Sequence, residues 1–225
     1  MTAIDRFLPP KKKEIVIDWL GRKVGVFVPA CWHYRFRADL CRKVWVPRCE
    51  RMGIQVIFYD EGEDTTIYKT RGDWQYNLTA KIKRMLTHAY ENNFDHIIKV
   101  DSDAEFWPER LNFSDMLSHD YIGNHQCPYE NEYNYANGSC YILSRKMLHK
   151  IALTDIRFNP EYLWGEDVWI GKVAHYNKIP LHMERRIVWD QPYDPDKFLA
   201  WHDFGKYMGK QKGCPYLAEN ESFIL

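Results

Sequence analysis

The chain has 225 residues, 45% of them hydrophobic, which suits the core of one compact α/β unit. Its 31 basic and 31 acidic residues cancel, so no global field draws it to polyanions. No stretch reaches the ~18 apolar residues of a membrane span, and none of Cys31, Cys41, Cys49, Cys127, Cys140 and Cys214 forms a CxxC pair, which argues against a zinc ribbon.

Residues 1–14 lack the apolar core of a signal peptide, and Lys11, Lys12 and Lys13 read as a solvated tail. The expectation is a soluble protein with free thiols in a reducing compartment. The N-x-S/T triplets at Asn77, Asn112, Asn137 and Asn220 are then chance matches. Residues 24–28 (VGVFV), ahead of Pro29, predict a buried strand. Phe36, Leu40 and Val44 follow at helical spacing, and Pro47 kinks or ends that helix. Residues 54–59 predict a second strand and residues 60–73 a polar loop. Leu78, Ile82, Met85, Leu86, Ala89 and Tyr90 form the apolar stripe of a helix that Asn92 and Asn93 close. Residues 96–100 (HIIKV) predict a third strand, so the first half reads β-α-β-α-β, the pattern of a parallel sheet.

The second half is less regular. Residues 120–123, 139–143 and 179–183 predict strands, Ser144 caps a helix over 145–151, and residues 166–177 predict another helix. The tail beyond Trp189 shows no clear period. Aromatic residues make up 16% of the chain, which suits either a Tyr- and Trp-rich core or stacking on sugar and base rings.

The third strand runs directly into Asp101-Ser102-Asp103. Ligands of open α/β sheets bind beyond the carboxyl ends of the strands. Residues i and i+2 of extended backbone point the same way, and two adjacent carboxylates repel unless a cation sits between them. Oxygen-only ligation suits Mg²⁺ or Mn²⁺. The same triplet also suits a solvated turn.

Four segments together carry a resemblance. Tyr76-Asn77-Leu78-Thr79-Ala80-Lys81 resembles the Y.NLT.K segment of the β-1,3-galactosyltransferase and Fringe-like glycosyltransferases. Lys99-Val100-Asp101-Ser102-Asp103-Ala104-Glu105-Phe106 resembles their K.DDD.F metal motif. Asn137-Gly138-Ser139-Cys140-Tyr141-Ile142-Leu143-Ser144 resembles GGGYVLS, and Gly165-Glu166-Asp167-Val168-Trp169-Ile170-Gly171 resembles EDV..G. The segments occur in the family's order over residues 24–185. The chain departs from the family in its shortness, in Ser102 at the centre of the metal triplet, and in lacking a membrane anchor.

The resemblance implies one GT-A domain over 1–225, a nucleotide-diphospho-sugar transferase fold whose mixed sheet has a parallel, Rossmann-like N-terminal half. Residues 1–22 would be a tail, 24–103 the nucleotide-sugar half and 104–225 the acceptor half. It implies an inverting enzyme using Mn²⁺ or Mg²⁺ and a nucleotide-sugar donor, a UDP-sugar first. Asp101 and Asp103 would hold the metal with His202, or His182 in its place. Asp167 would be the base and Glu166 would position donor or acceptor hydroxyls; both acids equally suit a helix N-terminus. The donor would lie against Pro29, Ala30, Arg35, Asp60, Lys81, Ser102 and Lys206, with Lys210 near the phosphates. The acceptor side would hold Asn137, Gly138 and Trp164. The missing anchor leads to the expectation of a cytoplasmic bacterial or viral (phage) protein without membrane contact.

The acceptor expected first is a saccharide or small molecule. Hydroxymethylated bases of phage or viral DNA are an alternative, with Tyr129, Tyr133 and Tyr135 free to stack on an extruded base. A metal-dependent nucleotidyltransferase would also use paired Asp residues, though it leaves Glu166 and Asp167 without a task. A non-catalytic sugar-binding module is the remaining class.

Overall fold

The computed structural model describes residues 21–30, 35–59, 71–125, 133–158, 165–188 and 196–201. A six-stranded mixed sheet has the order β2-β1-β3-β6-β5-β7. Its strands are β1 (Val24–Pro29), β2 (Gln55–Tyr59), β3 (His96–Val100), β5 (Tyr121–His125), β6 (Ala136–Ser144) and β7 (His182–Met183). β1 pairs in parallel with β2 and β3, as the sequence predicts for the first half. β6 is antiparallel to both β3 and β5, and β7 returns parallel to β5. A three-stranded sheet, β4 (Glu105–Phe106), β9 (Ala200–Trp201) and β8 (Ile187–Val188), lies beside the main one.

Strand alternation divides the core in two. Val24, Val26, Val28, Ile98, Val100 and Ile142 face α1 (Arg35–Val44), α2 (Val46–Arg51) and α4 (Phe113–Ser118). Phe27, Ile97, Tyr141 and Leu143 face α3 (Arg71–Glu91), α5 (Arg145–Leu153) and α6 (Glu166–Tyr176). The result is a three-layer α/β/α arrangement, each face excluding water from apolar side chains.

Several local signals act as expected. Ile82, Met85, Leu86 and Ala89 of α3 are fully buried. Asn93 takes the left-handed conformation that stops that helix, φ 60°. Ser144 caps α5, its side chain accepting from the Met147 N–H. Pro47 sits in the first turn of α2, where its missing N–H costs nothing.

Two expectations need correction. α3 begins at Arg71, inside the stretch read as loop; Gly72 and the polar residues around it carry no helical stripe, and backbone continuity with the packed turns extends the helix. The helix expected from Phe36, Leu40 and Val44 is α1, where Leu40 and Val44 pack half-buried against Trp107, Val188, Phe198 and Trp201 but Phe36 does not face the core. Phe36 is exposed, while Ala38 and Cys41 are buried, because the helix turns its small side chains to the sheet. No described helix is long and apolar enough to cross a membrane.

Candidate active site

From β1 the chain goes on to β2 on one side of the sheet, and from β3 its later strands β5 and β6 lie on the other. In an open α/β sheet such a divergence makes the carboxyl ends of the two strands, here β1 and β3, the ligand side, and the acidic residues gathered there are treated as lining a crevice. Pro29 ends β1, and the Ala30 carbonyl accepts a hydrogen bond from Lys81 Nζ of α3. Two of the expected donor-side residues, Ala30 and Lys81, therefore meet here.

Asp101 to Ala104 form a β-turn closed by the Ala104 N–H donating to the Asp101 carbonyl at 3.0 Å. This corrects the extended geometry expected for the triplet. Asp101 turns towards the α6 face, where it meets Lys99 Nζ at 2.6 Å. Asp103 turns towards α1, where Arg37 donates to it at 2.8 Å. The turn is buttressed along one face of α1 and the residue after it. Arg37, Cys41 and Trp45 recur every four residues, and they bond Asp103, the Ser102 carbonyl at 3.2 Å and the Ala104 carbonyl at 3.1 Å respectively. Burial pushes the Cys41 thiol up to about 12, so it stays protonated and able to donate.

Lys99 is the hub of the site. Its side chain is fully buried in the strand HIIKV. Besides Asp101 it reaches Glu166 Oε1 at 3.2 Å and the Gly138 carbonyl. Burial alone favours the neutral amine, but the carboxylates of Asp101 and Glu166 outweigh it and hold the ammonium charged.

Antiparallel pairing of β6 with β3 brings Asn137-Gly138-Ser139 alongside the turn, and the Asp101 N–H donates to the Ser139 carbonyl at 2.9 Å. The Asn137 side chain accepts from the Ser139 N–H at 2.7 Å, fixing the local bend. Gly138 is clamped on both sides: its carbonyl takes Lys99 and its N–H donates to Asp167 Oδ2 at 3.1 Å. A Cβ there would lie 2.9 Å from Glu166 Oε1, so a larger residue would push the Glu166 carboxylate off its place beside Lys99.

Glu166 and Asp167 open α6 after Gly165, whose φ of 138° suits glycine alone. Asp167 Oδ1 accepts from the Val168 N–H at 2.9 Å, and Glu166 is buried. Burial pushes the Asp167 carboxyl up to about 7, with the Glu166 charge adding to the rise and the Val168 and Gly138 N–H groups opposing it. Asp101 is also shifted upwards, by burial first and by Asp103 and Glu166 next, against the pull of Lys99.

Asp101, Ser102, Asp103, Asn137, Gly138, Glu166 and Asp167 thus come together, with Lys99 and Arg37 in ion pairs that the sequence did not foretell. Lys99 had a signal: a lysine inside an otherwise apolar strand. Arg37 had none beyond its four-residue spacing to Cys41. Asp60, Trp164, His202, Lys206, Lys210, Tyr129, Lys11, Lys12, Lys13 and the Arg35 side chain lie outside the described residues. His182 sits elsewhere, on β7, three strands from β3 and about 14 Å away at ~4.8 Å per strand. It is therefore too far to share an ion with Asp101. Tyr133 is buried, with Lys172 Nζ 5.0 Å from its ring centre, which removes it as a stacking surface.

The sequence matches no family model, and no curated protein matches it. Among solved structures, one described as a glycosyltransferase involved in the glycosylation of the major capsid of PBCV-1 aligns with a TM-score of 0.51. The alignment covers 80% of this chain and 92% of that chain at 12% identity. A second, A197 from STIV, aligns with a TM-score of 0.41 over 72% and 81% of the two chains, also at 12% identity. The first likeness shows the fold: a mixed α/β sheet of the GT-A glycosyltransferase type.

Proposed function

We propose that this chain is an inverting glycosyltransferase that moves a sugar from a nucleotide-sugar donor, a UDP-sugar first, to a hydroxyl of a saccharide or small-molecule acceptor. The observation that carries this reading is the meeting of two acidic pairs, Asp101 with Asp103 and Glu166 with Asp167, in one GT-A crevice where Lys99 joins Asp101 to Glu166.

The residues present fit a divalent ion. Four carboxylates gather around Lys99 and Arg37, a surplus of two negative charges when all are ionised. Asp101 and Asp103 keep side-chain accessibilities of 29% and 22%, so neither carboxylate is closed off from solvent. Oxygen-only donors favour Mn²⁺ or Mg²⁺. Held there, such an ion would neutralise charge on the departing diphosphate. His202 is proposed as its third protein ligand.

The chain's own groups account for the rest. Asp167, pushed up to about 7, is poised to take the proton of the acceptor hydroxyl near neutral pH. The Gly138 and Val168 N–H groups orient its carboxylate. Glu166, pinned by Lys99, is positioned to hold sugar hydroxyls. Arg37 and Lys81 supply positive charge on the donor side, where Pro29, Ala30, Arg35, Asp60, Ser102 and Lys206 are proposed to line the nucleotide. Asn137, Gly138 and Trp164 are proposed on the acceptor side.

The test is a panel of labelled nucleotide sugars offered with saccharides, hydroxymethylated DNA and unmodified DNA. Transfer to a saccharide with release of a nucleoside diphosphate supports the reading. Label on hydroxymethylated DNA alone would replace the acceptor. No transfer and no diphosphate release, with activity instead on nucleoside triphosphates, would move the chain to the nucleotidyltransferases.

A further inference from the structure

A second cluster of metal-ligating side chains lies at the far edge of the main sheet. Asp115 lies in the first turn of α4 and His119, four residues on, is the residue that ends it, so the two side chains come to the same side. His182 lies on edge strand β7, paired with Ile122 of β5. Ile122 faces the core layer that contains Met116 of α4, and His182 shares that face.

The three side chains converge. Asp115 Oδ2 lies 3.3 Å from His182 Nε2, and Asp115 Oδ1 lies 3.4 Å from His119 Nε2. The two imidazoles stack with centroids 3.7 Å apart and planes 13° apart. All the ligand atoms fall within 4.8 Å of one another. Each side chain keeps about a third of its surface open, so a small ion can enter without rearrangement of the core.

The spacing suits a tetrahedral ion. Ligands at about 2.0–2.1 Å from Zn²⁺ stand about 3.3 Å from each other, and each imidazole nitrogen lies at about that distance from its own oxygen of Asp115. Two imidazole nitrogens and a carboxylate select Zn²⁺ over Mg²⁺, which prefers six oxygens.

We propose that Asp115, His119 and His182 form a Zn²⁺ site with a fourth position open to water, which pins the end of α4 to edge strand β7. The site is separate from the acidic crevice and does not depend on the glycosyl-transfer reading.

The experiment is calorimetric titration of Zn²⁺ into the chelator-treated full chain, with Mg²⁺ in excess to occupy oxygen-only sites. One Zn²⁺ equivalent should bind. His119→Ala and His182→Ala should weaken it by about 100-fold or more, and Asp101→Asn should leave it intact. Circular dichroism in chelator should match between variants and wild type. Co²⁺ added to the wild-type chain under the same Mg²⁺ excess should give the visible absorption of a tetrahedral complex, a readout that needs no variant. Absence of Zn²⁺ uptake, absence of that Co²⁺ band, or Zn²⁺ binding unchanged in both His variants would overturn the proposal.

Discussion

Lys99 and Glu166, 67 residues apart in sequence, meet at 3.2 Å beneath the crevice. Both are buried, and Lys99 also reaches Asp101 on the other side. Removing the lysine leaves a buried carboxylate without its cation, a change that costs about 3–5 kcal/mol in comparable settings. Lys99→Met should therefore destabilise the chelated protein by about that amount in urea unfolding. Adding Glu166→Gln should recover at least half of the loss, because the orphaned charge disappears. A Lys99→Met protein within about 1 kcal/mol of wild type would show that the pair is not a structural keystone.

Asp167 carries the second prediction. Asp167→Asn keeps the side chain's shape but cannot take a proton, and its single amide oxygen can accept from only one of the Gly138 and Val168 N–H groups. Turnover should fall about 10²-fold or more while donor affinity stays within a factor of about two. The acid form of Asp167 is favoured below about 7, so wild-type kcat/KM should rise as pH increases through that value. The Asn variant should lose this step. Equal losses in turnover and donor affinity would make Asp167 a binding residue.

Gly138 links the two acidic pairs through its own peptide groups. An alanine there brings a Cβ to 2.9 Å from Glu166 Oε1, an atom that Lys99 holds in place. Gly138→Ala should destabilise by about 1–3 kcal/mol, as overpacking does, and should reduce turnover more than tenfold, since both Glu166 and Asp167 must shift. Thermal unfolding and steady-state kinetics read the two effects separately. Wild-type kinetics in this variant would mean that the glycine serves only the strand.

The parts legible in the sequence are those governed by local periodicity. β1, β2 and β3 announce themselves as apolar runs, and α3 by a stripe whose Ile82, Met85, Leu86 and Ala89 do fill the core. The cap at Ser144 and the stop at Asn93 follow from side-chain and backbone chemistry within a few residues. The three-stranded sheet escaped notice because β4, β8 and β9 are two residues each, too short for any period to emerge. α4, six residues long, was missed for the same reason. The acidic residues of the crevice were visible because they follow the ends of predicted elements. Their partners were not: Arg37 and Lys99 owe their roles to long-range pairing, and the turn at Asp101 separates two carboxylates that a strand would have aligned. Asp115 and His119 had a four-residue signal, but His182 joins them only through the pairing of β7 with β5.

The central claim is a crevice that binds a nucleotide sugar through a divalent ion on Asp101 and Asp103. The most direct measurement is thermal unfolding of wild type, Asp101→Asn and Asp103→Asn with a nucleotide-sugar panel, each with Mn²⁺ and with chelator. A ligand at 100 times its Kd stabilises the folded state by about 2.7 kcal/mol, a shift well within detection. The account predicts that at least one nucleotide sugar raises the wild-type midpoint only when Mn²⁺ is present, and that neither variant responds. A donor that stabilises all three proteins equally in chelator, or a panel in which no nucleotide sugar binds wild type with Mn²⁺, would contradict it.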